Sequence, residues 1–339
     1  MSAGISPTVS VIVPTRNRAN LLERALKSIA AQTFTDYEVI VSDDGSDAEV
    51  QQRYDTLREM LGPRFIFVPP VAVGALGTGP ADTLNRGIRR ASGEFLAILA
   101  DDDEWTAPDY LEVGVRTLRQ FDGDLFFANI QGLRAGQVTR ADWFDYAPYL
   151  KTTLRTAGPP AVYEVSLDQV AKALQHRPIH PNVMIVRTAS VHRFGGFLKH
   201  AWFVEDWNWA FHAADQSRRI FYRPDVVCNY RFPADDSVCL TATDLYLDLG
   251  QLTSAVEARL TCHNRAIRNS ARAMEAWLYR TWSARCNEDS RGRDALSWAW
   301  QGFCTYPTLG GTACLLKSLL GFLRLWRRRA PVASPRPAG

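Results

Sequence analysis

Three consecutive aspartates, Asp101, Asp102 and Asp103, have the clearest potential for metal chemistry in this sequence. Like charges this close raise one another's pKa unless a cation lies between them. Mg²⁺ or Mn²⁺ would remove the repulsion, because such hard cations take oxygen ligands and often combine one or two carboxylates with substrate phosphates. The alternative is a solvated turn in which an aspartate caps a helix. Because the three residues follow an apolar run, we predict a metal site that handles a diphosphate.

A second acidic pair, Asp43-Asp44, is followed directly by a glycine and a serine. These carboxylates can accept hydrogen bonds from a nucleotide base or ribose. The pair can equally form an ordinary turn, in which glycine supplies a positive φ and aspartate caps the next helix. Residues that we expect at the same edge, after the first strand, are Pro14, Thr15 and Arg16, with Arg16 and Arg18 able to face either a diphosphate or solvent.

A third acidic pair, Glu205-Asp206, begins an apparent helix that continues over residues 207–214. A carboxylate at a helix start gains from the helix dipole, which is the structural alternative. Flanking aromatic rings would partly desolvate the pair, raise its pKa towards the range useful for a general base, and offer a face on which a sugar can stack. We therefore interpret the pair as catalytic. The aromatic residues are Trp202, Phe203, Trp207 and Trp209.

Buried strands alternating with helices must position these residues. Apolar, β-branched runs predict strands, and amphipathic stretches between them predict helices over roughly 20–30 and 49–60, the first with Asn20 as N-cap. This alternation predicts a mostly parallel, Rossmann-like sheet with helices on both faces. Ligands bind outside the carboxyl ends of such strands, where the acidic clusters fall. The predicted strands are 9–13, 37–41, 64–68 and 94–100.

The rest of the chain is less regular and then helical. Strand-like runs occur at 125–129, 183–186 and 219–222, whereas the sequence beyond 244 is Trp-rich and has a helical pattern. We therefore predict a catalytic domain over 7–236, a helical extension over 237–308, and a basic amphipathic helix with a disordered tail over 309–339.

Composition excludes several classes of protein. With 46% hydrophobic and 22% charged residues the chain is globular, and a net charge of +3 does not indicate a nucleic-acid partner. The six cysteines are irregularly spaced, which indicates neither a zinc site nor a redox motif. The N-terminus shows no secretory pattern, so we expect a cytoplasmic protein.

Three segments, in this order, resemble family 2 glycosyltransferases, which have the GT-A fold. They are VSVIVPTRNRANLLERALKSIAAQTFTDYEVIVSDDGSD, LNRGIRRASGEFLAILADDDEWTAPD and GGFLKHAWFVEDWNWAF. The resemblance covers residues 8–236. It implies an inverting transferase that moves a sugar from a nucleotide-diphosphate donor, a UDP-sugar by preference, onto a hydroxyl of a glycan or lipid-linked acceptor. Such enzymes serve bacterial surface polysaccharide or glycoconjugate synthesis.

The resemblance also implies roles for individual residues. Asp43 and Asp44 would hold the nucleoside beside Pro14, Thr15 and Arg16, with Asn85 as a further donor-binding residue. Asp101 would lie near the donor sugar, and Asp102 or Asp103 would bind Mn²⁺ or Mg²⁺. Asp206, or else Glu205, would be the base that deprotonates the acceptor hydroxyl.

Some positions depart from the family's pattern. Ala100 stands where the family often has an aspartate, Leu84 where it often has an arginine, and no histidine follows Tyr230-Arg231. Two other functions remain open. A non-catalytic partner protein is conceivable because of these departures, whereas a sugar nucleotidyltransferase would need a Gly-rich phosphate loop where Pro-Thr-Arg-Asn-Arg follows the first strand.

The C-terminal segment over 309–326 is apolar, but Lys317 and Arg324 interrupt it. It therefore contains no uncharged stretch long enough to span a bilayer. A helical wheel separates Lys317, Arg324 and Arg328 from an apolar face. This pattern predicts a helix lying on an anionic membrane, with packing on the protein as the alternative. The predicted apolar face comprises Leu315, Leu319, Phe322, Leu323 and Trp326.

Overall fold

The structure is a computed structural model that describes residues 6–70, 77–143, 153–155, 160–199, 204–231 and 244–329. The chain divides into two compact units, Met1–Arg268 and Asn269–Gly339. The divisions predicted from the sequence, after residues 236 and 308, stay a prediction. The observed boundary falls inside a long helix, whose continuous periodicity offers no sequence signal for a break.

The first unit is built on one mixed sheet of eleven strands in the described chain, in the order β3-β2-β1-β4-β10-β6-β11-β9-β8, with β5 on β11 and β7 on β6. The strands are β1 Val9–Thr15, β2 Tyr37–Asp43, β3 Phe65–Val68, β4 Phe95–Ile98, β5 Glu104–Trp105, β6 Leu125–Arg134, β7 Gln137–Arg140, β8 Thr153–Leu154, β9 Tyr163–Val165, β10 Met184–Arg187 and β11 Ile220–Arg231.

The N-terminal half of the sheet has the predicted parallel arrangement. Strand β1 pairs in parallel with β2 and with β4, and β2 pairs in parallel with β3. The aliphatic and aromatic side chains of β1, β2 and β4 are buried, as expected of strands covered on both faces, whereas β3 buries only Phe65 fully. In this half of the sheet, the carboxyl ends of β1, β2 and β4 lie at one edge.

The second half is not parallel throughout, so the prediction of a mostly parallel sheet is correct only for the first half. Strand β10 runs antiparallel between β4 and β6, while β11 is parallel to β6. The predicted strand at 183–186 begins one residue later, after a 3-10 turn over Pro181–Val183. Antiparallel insertion depends on which distant strands meet, and a short apolar run does not encode that direction.

Helices cover the sheet. Helix α1 buries Leu22, Leu26 and Ile29, as its periodicity predicts, but it begins at Ala19 with Arg18 at the N-cap position, so the prediction of Asn20 as N-cap is wrong. The helices of the first unit are α1 Ala19–Ala30, α2 Ala48–Leu61, α3 Pro80–Arg90, α4 Tyr110–Gln120, α5 Leu167–Leu174, α6 Thr188–Phe194, α7 Glu205–Asp215 and α8 Asp244–Thr261.

Helix α9, Arg265–Glu288, crosses the boundary between the units, and the second unit continues with α10, Gly292–Thr305, and α11, Leu309–Arg329. The described part of the chain beyond residue 244 contains no strand, which agrees with the predicted helical extension. Among the described residues, no helix combines the length and apolar character needed to cross a bilayer.

Candidate active site

A cavity of about 610 Å³ opens at the carboxyl edge of β1, β2 and β4. Its position follows from the parallel strands, whose ends leave a crevice bounded by the loops that follow them. It contains residues from three segments that were predicted to meet at this edge, namely 14–16, 43–44 and 101–103. It is lined by Pro14, Thr15, Arg16, Asn17, Arg18, Asp44, Gly77, Gly79, Pro80, Thr83, Ala100, Asp101 and Asp102.

Asp101 and Asp102, which both line this cavity, form ion pairs with the same side chain, that of Arg18. The Arg18 guanidinium Nη1 lies 3.3 Å from Asp101 Oδ1 and 3.2 Å from Asp102 Oδ2. Thr15 Oγ1 donates a 2.8 Å hydrogen bond to Asp101 Oδ2. Burial raises the pKa of Asp101 to about 7, the charge of Asp102 adds to the rise, and Arg18 opposes it. The pair therefore retains a need for positive charge.

Asp103 points away from this cavity. Its Oδ2 accepts a hydrogen bond from Asn182 Nδ2, and its Oδ1 accepts a 2.8 Å hydrogen bond from the Arg231 amide. Burial, followed by the charge of Asp102, raises its pKa well above the ordinary value. Asp103 is also absent from the residues that line the cavity, whereas Asp101 and Asp102 are among them, and its predicted role as a metal ligand stays a prediction.

Asp43 stabilises its own loop and does not line the cavity. Its Oδ1 accepts hydrogen bonds from the Ser46 amide at 3.1 Å and from Ser46 Oγ at 2.5 Å, and its Oδ2 accepts one from Gln51 Nε2. This is the turn geometry that was the alternative interpretation of the sequence.

Asp44 does line the cavity, and its carboxylate also accepts hydrogen bonds from the loop that precedes α3. Its Oδ1 accepts hydrogen bonds from the Thr78 amide and hydroxyl at 2.8 and 2.7 Å, and its Oδ2 accepts one from the Gly79 amide at 3.0 Å. A β-carbon on Gly77 would lie 2.3 Å from Asp44 Oδ2. Glycine therefore lets this loop lie directly against the carboxylate.

Asn85 lies outside the cavity, in the middle of α3, and joins that helix to the chain ahead of α7. Its Nδ2 donates to the Phe197 carbonyl and its Oδ1 accepts from the Phe197 amide, both at 2.8 Å. Gly196 has φ +88°, and a β-carbon there would lie 2.3 Å from Asn85 Oδ1. The amide is therefore engaged by protein backbone, and its predicted donor-binding role stays a prediction.

Glu205 and Asp206 begin α7 and are partly buried. Burial raises the pKa of Glu205 to about 7, with a contribution from Asp206, and raises the pKa of Asp206 to about 6. Asp206 Oδ1 also accepts a 2.9 Å hydrogen bond from the Trp207 amide. Because of this burial, both carboxyls have pKa values suited to proton transfer near neutral pH. Neither carboxylate is among the residues that line the cavity described above.

Of the four aromatic residues predicted to flank this pair, Trp202 and Phe203 lie outside the described residues. Trp207 is partly buried and Trp209 is fully buried. The Trp209 ring stacks on Phe197 with 4.3 Å between centroids. Since Phe197 is held by Asn85, a continuous series of contacts links α7 to the helix whose first turn lines the cavity.

Asn182 is a residue of the site that the sequence analysis missed. It donates to Asp103, its Oδ1 accepts from the Ala100 amide at 3.1 Å, and its carbonyl accepts from the Trp105 indole at 2.8 Å. It thus holds the acidic loop from both ends. A single asparagine after a proline gives no pattern that would have revealed this.

The donor groups fit a hard divalent cation. Two carboxylates face one cavity, and the local excess of negative charge is the condition that such a cation relieves. Within the described residues, no group of three or more His, Cys, Asp or Glu side chains forms a complete cage. The arrangement therefore suits a cation held by one or two carboxylates together with phosphate oxygens of a substrate.

The comparison with known proteins agrees with this geometry. Residues 10–158 match the family model described as Glycosyl transferase family 2. This match identifies residues 10–158 as a family 2 glycosyltransferase segment. Its N-terminal part is 41% identical over 105 residues to a GalNAc(5)-diNAcBac-PP-undecaprenol beta-1,3-glucosyltransferase of Campylobacter jejuni, covering 29% of this chain and 30% of that protein. It is 31% identical over 127 residues to the succinoglycan biosynthesis protein ExoW of Rhizobium meliloti, covering 37% and 38%. The chain therefore spans less than two fifths of the length of either relative.

Solved structures show the same fold over nearly the whole chain. Staphylococcus aureus TarS 1-349 in complex with UDP-GlcNAc superposes with a TM-score of 0.65 at 18% identity, over 94% of this chain and 89% of that one. The mannosyltransferase PcManGT of Pyrobaculum calidifontis, in complex with GDP-Man and Mn²⁺, superposes with a TM-score of 0.59 at 20% identity, over 96% and 84%. The predicted GT-A type fold is confirmed.

Proposed function

We propose that this chain is an inverting glycosyltransferase that moves a sugar from a nucleotide-diphosphate donor, preferably a UDP-sugar, to a hydroxyl of a glycan or lipid-linked acceptor. The observation that carries the proposal is the pair Asp101 and Asp102 facing one cavity beside Thr15 and Arg18. This pair lies within the residues that match the family. The complexes of the structural neighbours with UDP-GlcNAc and GDP-Man support a nucleotide sugar as donor.

Asp102, with Asp101 beside it, would hold Mn²⁺ or Mg²⁺, and the bound cation would stabilise the negative charge of the departing diphosphate. Arg18 already contacts both carboxylates and places a second positive charge at the same point. Asp44 and residues 14–16 line the same cavity, where the nucleoside would lie. Pro14, Thr15 and Arg16 keep their predicted donor-binding roles in this proposal.

Asp206 is the base in this proposal, and Glu205 is the alternative. Burial raises the pKa of Asp206 to about 6 and that of Glu205 to about 7, so both carboxyls are able to exchange a proton near neutral pH. In the proposed reaction Asp206 takes the proton of the acceptor hydroxyl as its oxygen bonds to the anomeric carbon. The bond from that carbon to the diphosphate oxygen breaks at the same time.

The relatives support the proposed acceptor class. The names of the Campylobacter and Rhizobium proteins concern an undecaprenol diphosphate-linked glycan and succinoglycan synthesis. We propose a role in bacterial surface polysaccharide or glycoconjugate synthesis, and a location in the cytoplasm with peripheral contact to the inner face of the plasma membrane.

The test is release of nucleoside diphosphate from a panel of UDP-, GDP- and dTDP-sugars, with and without Mn²⁺. We expect metal-stimulated release from at least one donor. Asp102→Asn should reduce it by about a hundredfold or more, as expected when charge stabilisation at the leaving group is lost. The matched control is Asp55→Asn on the exposed side of α2, which should retain full activity.

Two other results would assign other functions. Pyrophosphate-dependent chemistry would indicate a sugar nucleotidyltransferase. Binding of a donor with no turnover for any acceptor, in the presence of metal, would indicate a non-catalytic partner protein.

A further inference from the structure

Helix α11 has one face packed within the second unit. Ser318 is buried, and its hydroxyl lies 2.9 Å from both Ser283 Oγ and Asn287 Nδ2 of α9. Gly311 is also buried, and Cys314 lies 3.7 Å from Ser283 Oγ. These residues mark the side of α11 that is turned towards its neighbours in the second unit.

The opposite side of α11 presents a continuous row of leucines, which we call the leucine stripe: Leu316, Leu319, Leu320 and Leu323. Their exposed fractions are 56%, 39%, 57% and 41%. The spacing i, i+3, i+4, i+7 places them on one helical face. Isolated exposed leucines are ordinary, but a contiguous apolar row on a folded surface usually marks a contact with another molecule or a membrane.

The stripe differs from the face predicted from the sequence. Leu315 and Phe322 were predicted to lie on the apolar face, but both are partly buried, whereas Leu316 and Leu320 are exposed. A helical wheel does not show which sector a neighbouring helix covers. The apolar surface left open is therefore rotated relative to the predicted one.

Basic residues accompany the stripe. Lys317 follows Leu316 by one residue, so it lies on one flank of the stripe, about 100° around the helix. The sequence of α11 adds Arg324. Three arginines, at 327–329, end the helix, and the sequence contains no acidic residue after Asp294. An apolar face with a basic flank complements anionic lipid headgroups over an acyl layer. A second copy of the chain would instead bring basic flanks together.

We propose that the leucine stripe of α11 docks on the surface of an anionic lipid bilayer, with its basic flank at the headgroups. Its biological use rests on the proposed function, because a lipid-linked acceptor would be reached at that surface. The evidence for the stripe is independent of the transfer reaction, since it comes from the second unit alone.

The experiment uses the full chain and sedimentation with vesicles of phosphatidylcholine alone or mixed with phosphatidylglycerol. We expect binding only to the mixed vesicles, weakening as salt is raised. The double substitution Leu316→Gln and Leu320→Gln should lower the partition coefficient by about tenfold or more, because two half-exposed leucines lose their transfer into the apolar layer. Both side chains lie on the surface, so the fold is retained.

The matched control is Leu260→Gln on α8, a leucine that is 68% exposed in the first unit. This variant should bind mixed vesicles as the wild type does. Donor hydrolysis, measured on all variants, should not change, so a failure of the transfer proposal would appear there and not in the vesicle assay.

Two outcomes would overturn docking on a bilayer. One is equal vesicle binding by the wild type and the double variant, or no binding by either. The other is a wild-type dimer in light scattering that the double substitution converts to a monomer without any vesicle binding, which would assign the stripe to a second copy.

Discussion

The contact between Asn85 and Gly196 allows a quantitative prediction with an internal control. Gly195 and Gly196 are neighbours with nearly the same φ, +85° and +88°, but a β-carbon on Gly195 meets nothing within 4 Å, whereas one on Gly196 would lie 2.3 Å from Asn85 Oδ1. Alanine in a left-handed conformation costs about 1 to 2 kcal/mol at either position. Only Gly196→Ala should carry a further cost.

The further cost comes from the two hydrogen bonds between Asn85 and the Phe197 backbone. Displacing Asn85 breaks both bonds, each worth about 1 kcal/mol, in a buried setting where an unsatisfied group costs at least as much again. We therefore expect Gly195→Ala to lower the free energy of unfolding of the first unit by about 1 to 2 kcal/mol, and Gly196→Ala by about 3 to 5 kcal/mol.

Because the chain has two compact units, the measurement should report the first unit alone. Hydrogen exchange of peptides from β1 and β4, followed by mass spectrometry, meets this need. The same pair of substitutions is then made in an Asn85→Ala background, where the clashing oxygen is absent. The difference between the two alanine variants should there fall to about 0.5 kcal/mol or less.

Equal destabilisation by the two alanines in the wild-type background would refute the reasoning. So would an undiminished difference after Asn85→Ala, because the extra cost would then come from some other neighbour. A functional consequence accompanies the structural one. Since Phe197 stacks on Trp209 of α7, Gly196→Ala should lower transfer more than nucleotide affinity.

Asp206→Asn should leave nucleotide affinity nearly unchanged and lower transfer by about a hundredfold or more, the usual contribution of a general base; full transfer by this variant would assign the base elsewhere. Transfer by the wild type should fall about tenfold per pH unit below pH 6 as Asp206, whose pKa is raised to about 6, becomes protonated; a flat profile between pH 5 and 7 would contradict this role. The pKa of Asp101 is raised in the folded, metal-free protein, so between pH 5 and 7 the folded state keeps a proton that the unfolded state has lost. As the pH rises through this range, Asp101 should therefore lower the free energy of unfolding by about 2 kcal/mol. Hydrogen exchange should show that the free energy of unfolding falls by that much less in Asp101→Asn than in the wild type. The same pH dependence in both proteins would show that Asp101 ionises normally.

Local sequence patterns predicted the first half of the sheet well. The runs at 9–13 and 37–41 are β-branched and apolar because both faces of those strands are buried, and this burial is written into consecutive residues. The acidic residues that follow a parallel strand must lie at the ligand-binding edge. Of the five aspartates predicted to lie at this edge, Asp44, Asp101 and Asp102 line the cavity, and Asp43 and Asp103 do not.

Partners far apart in the chain could not be predicted in the same way. Asp103 is adjacent to Asp102, but it points inward because it accepts hydrogen bonds from Asn182 and Arg231. These two residues lie 79 and 128 positions later in the chain. Asn85 resembles a ligand-binding residue of the family, yet its amide is matched to the backbone of Phe197, 112 positions later. Neighbouring residues carry no signal of such pairings.

The sequence by itself determined the strand and helix order of the parallel half of the sheet, the edge at which acidic residues follow its strands, and the excess of basic residues at the C-terminus, because periodicity and composition are properties of short segments. Only the tertiary structure decided the antiparallel direction of β10, which two of three consecutive aspartates face the cavity, and which leucines of α11 remain exposed. Each of these depends on which distant surface covers a side chain, and that is a property of packing between elements.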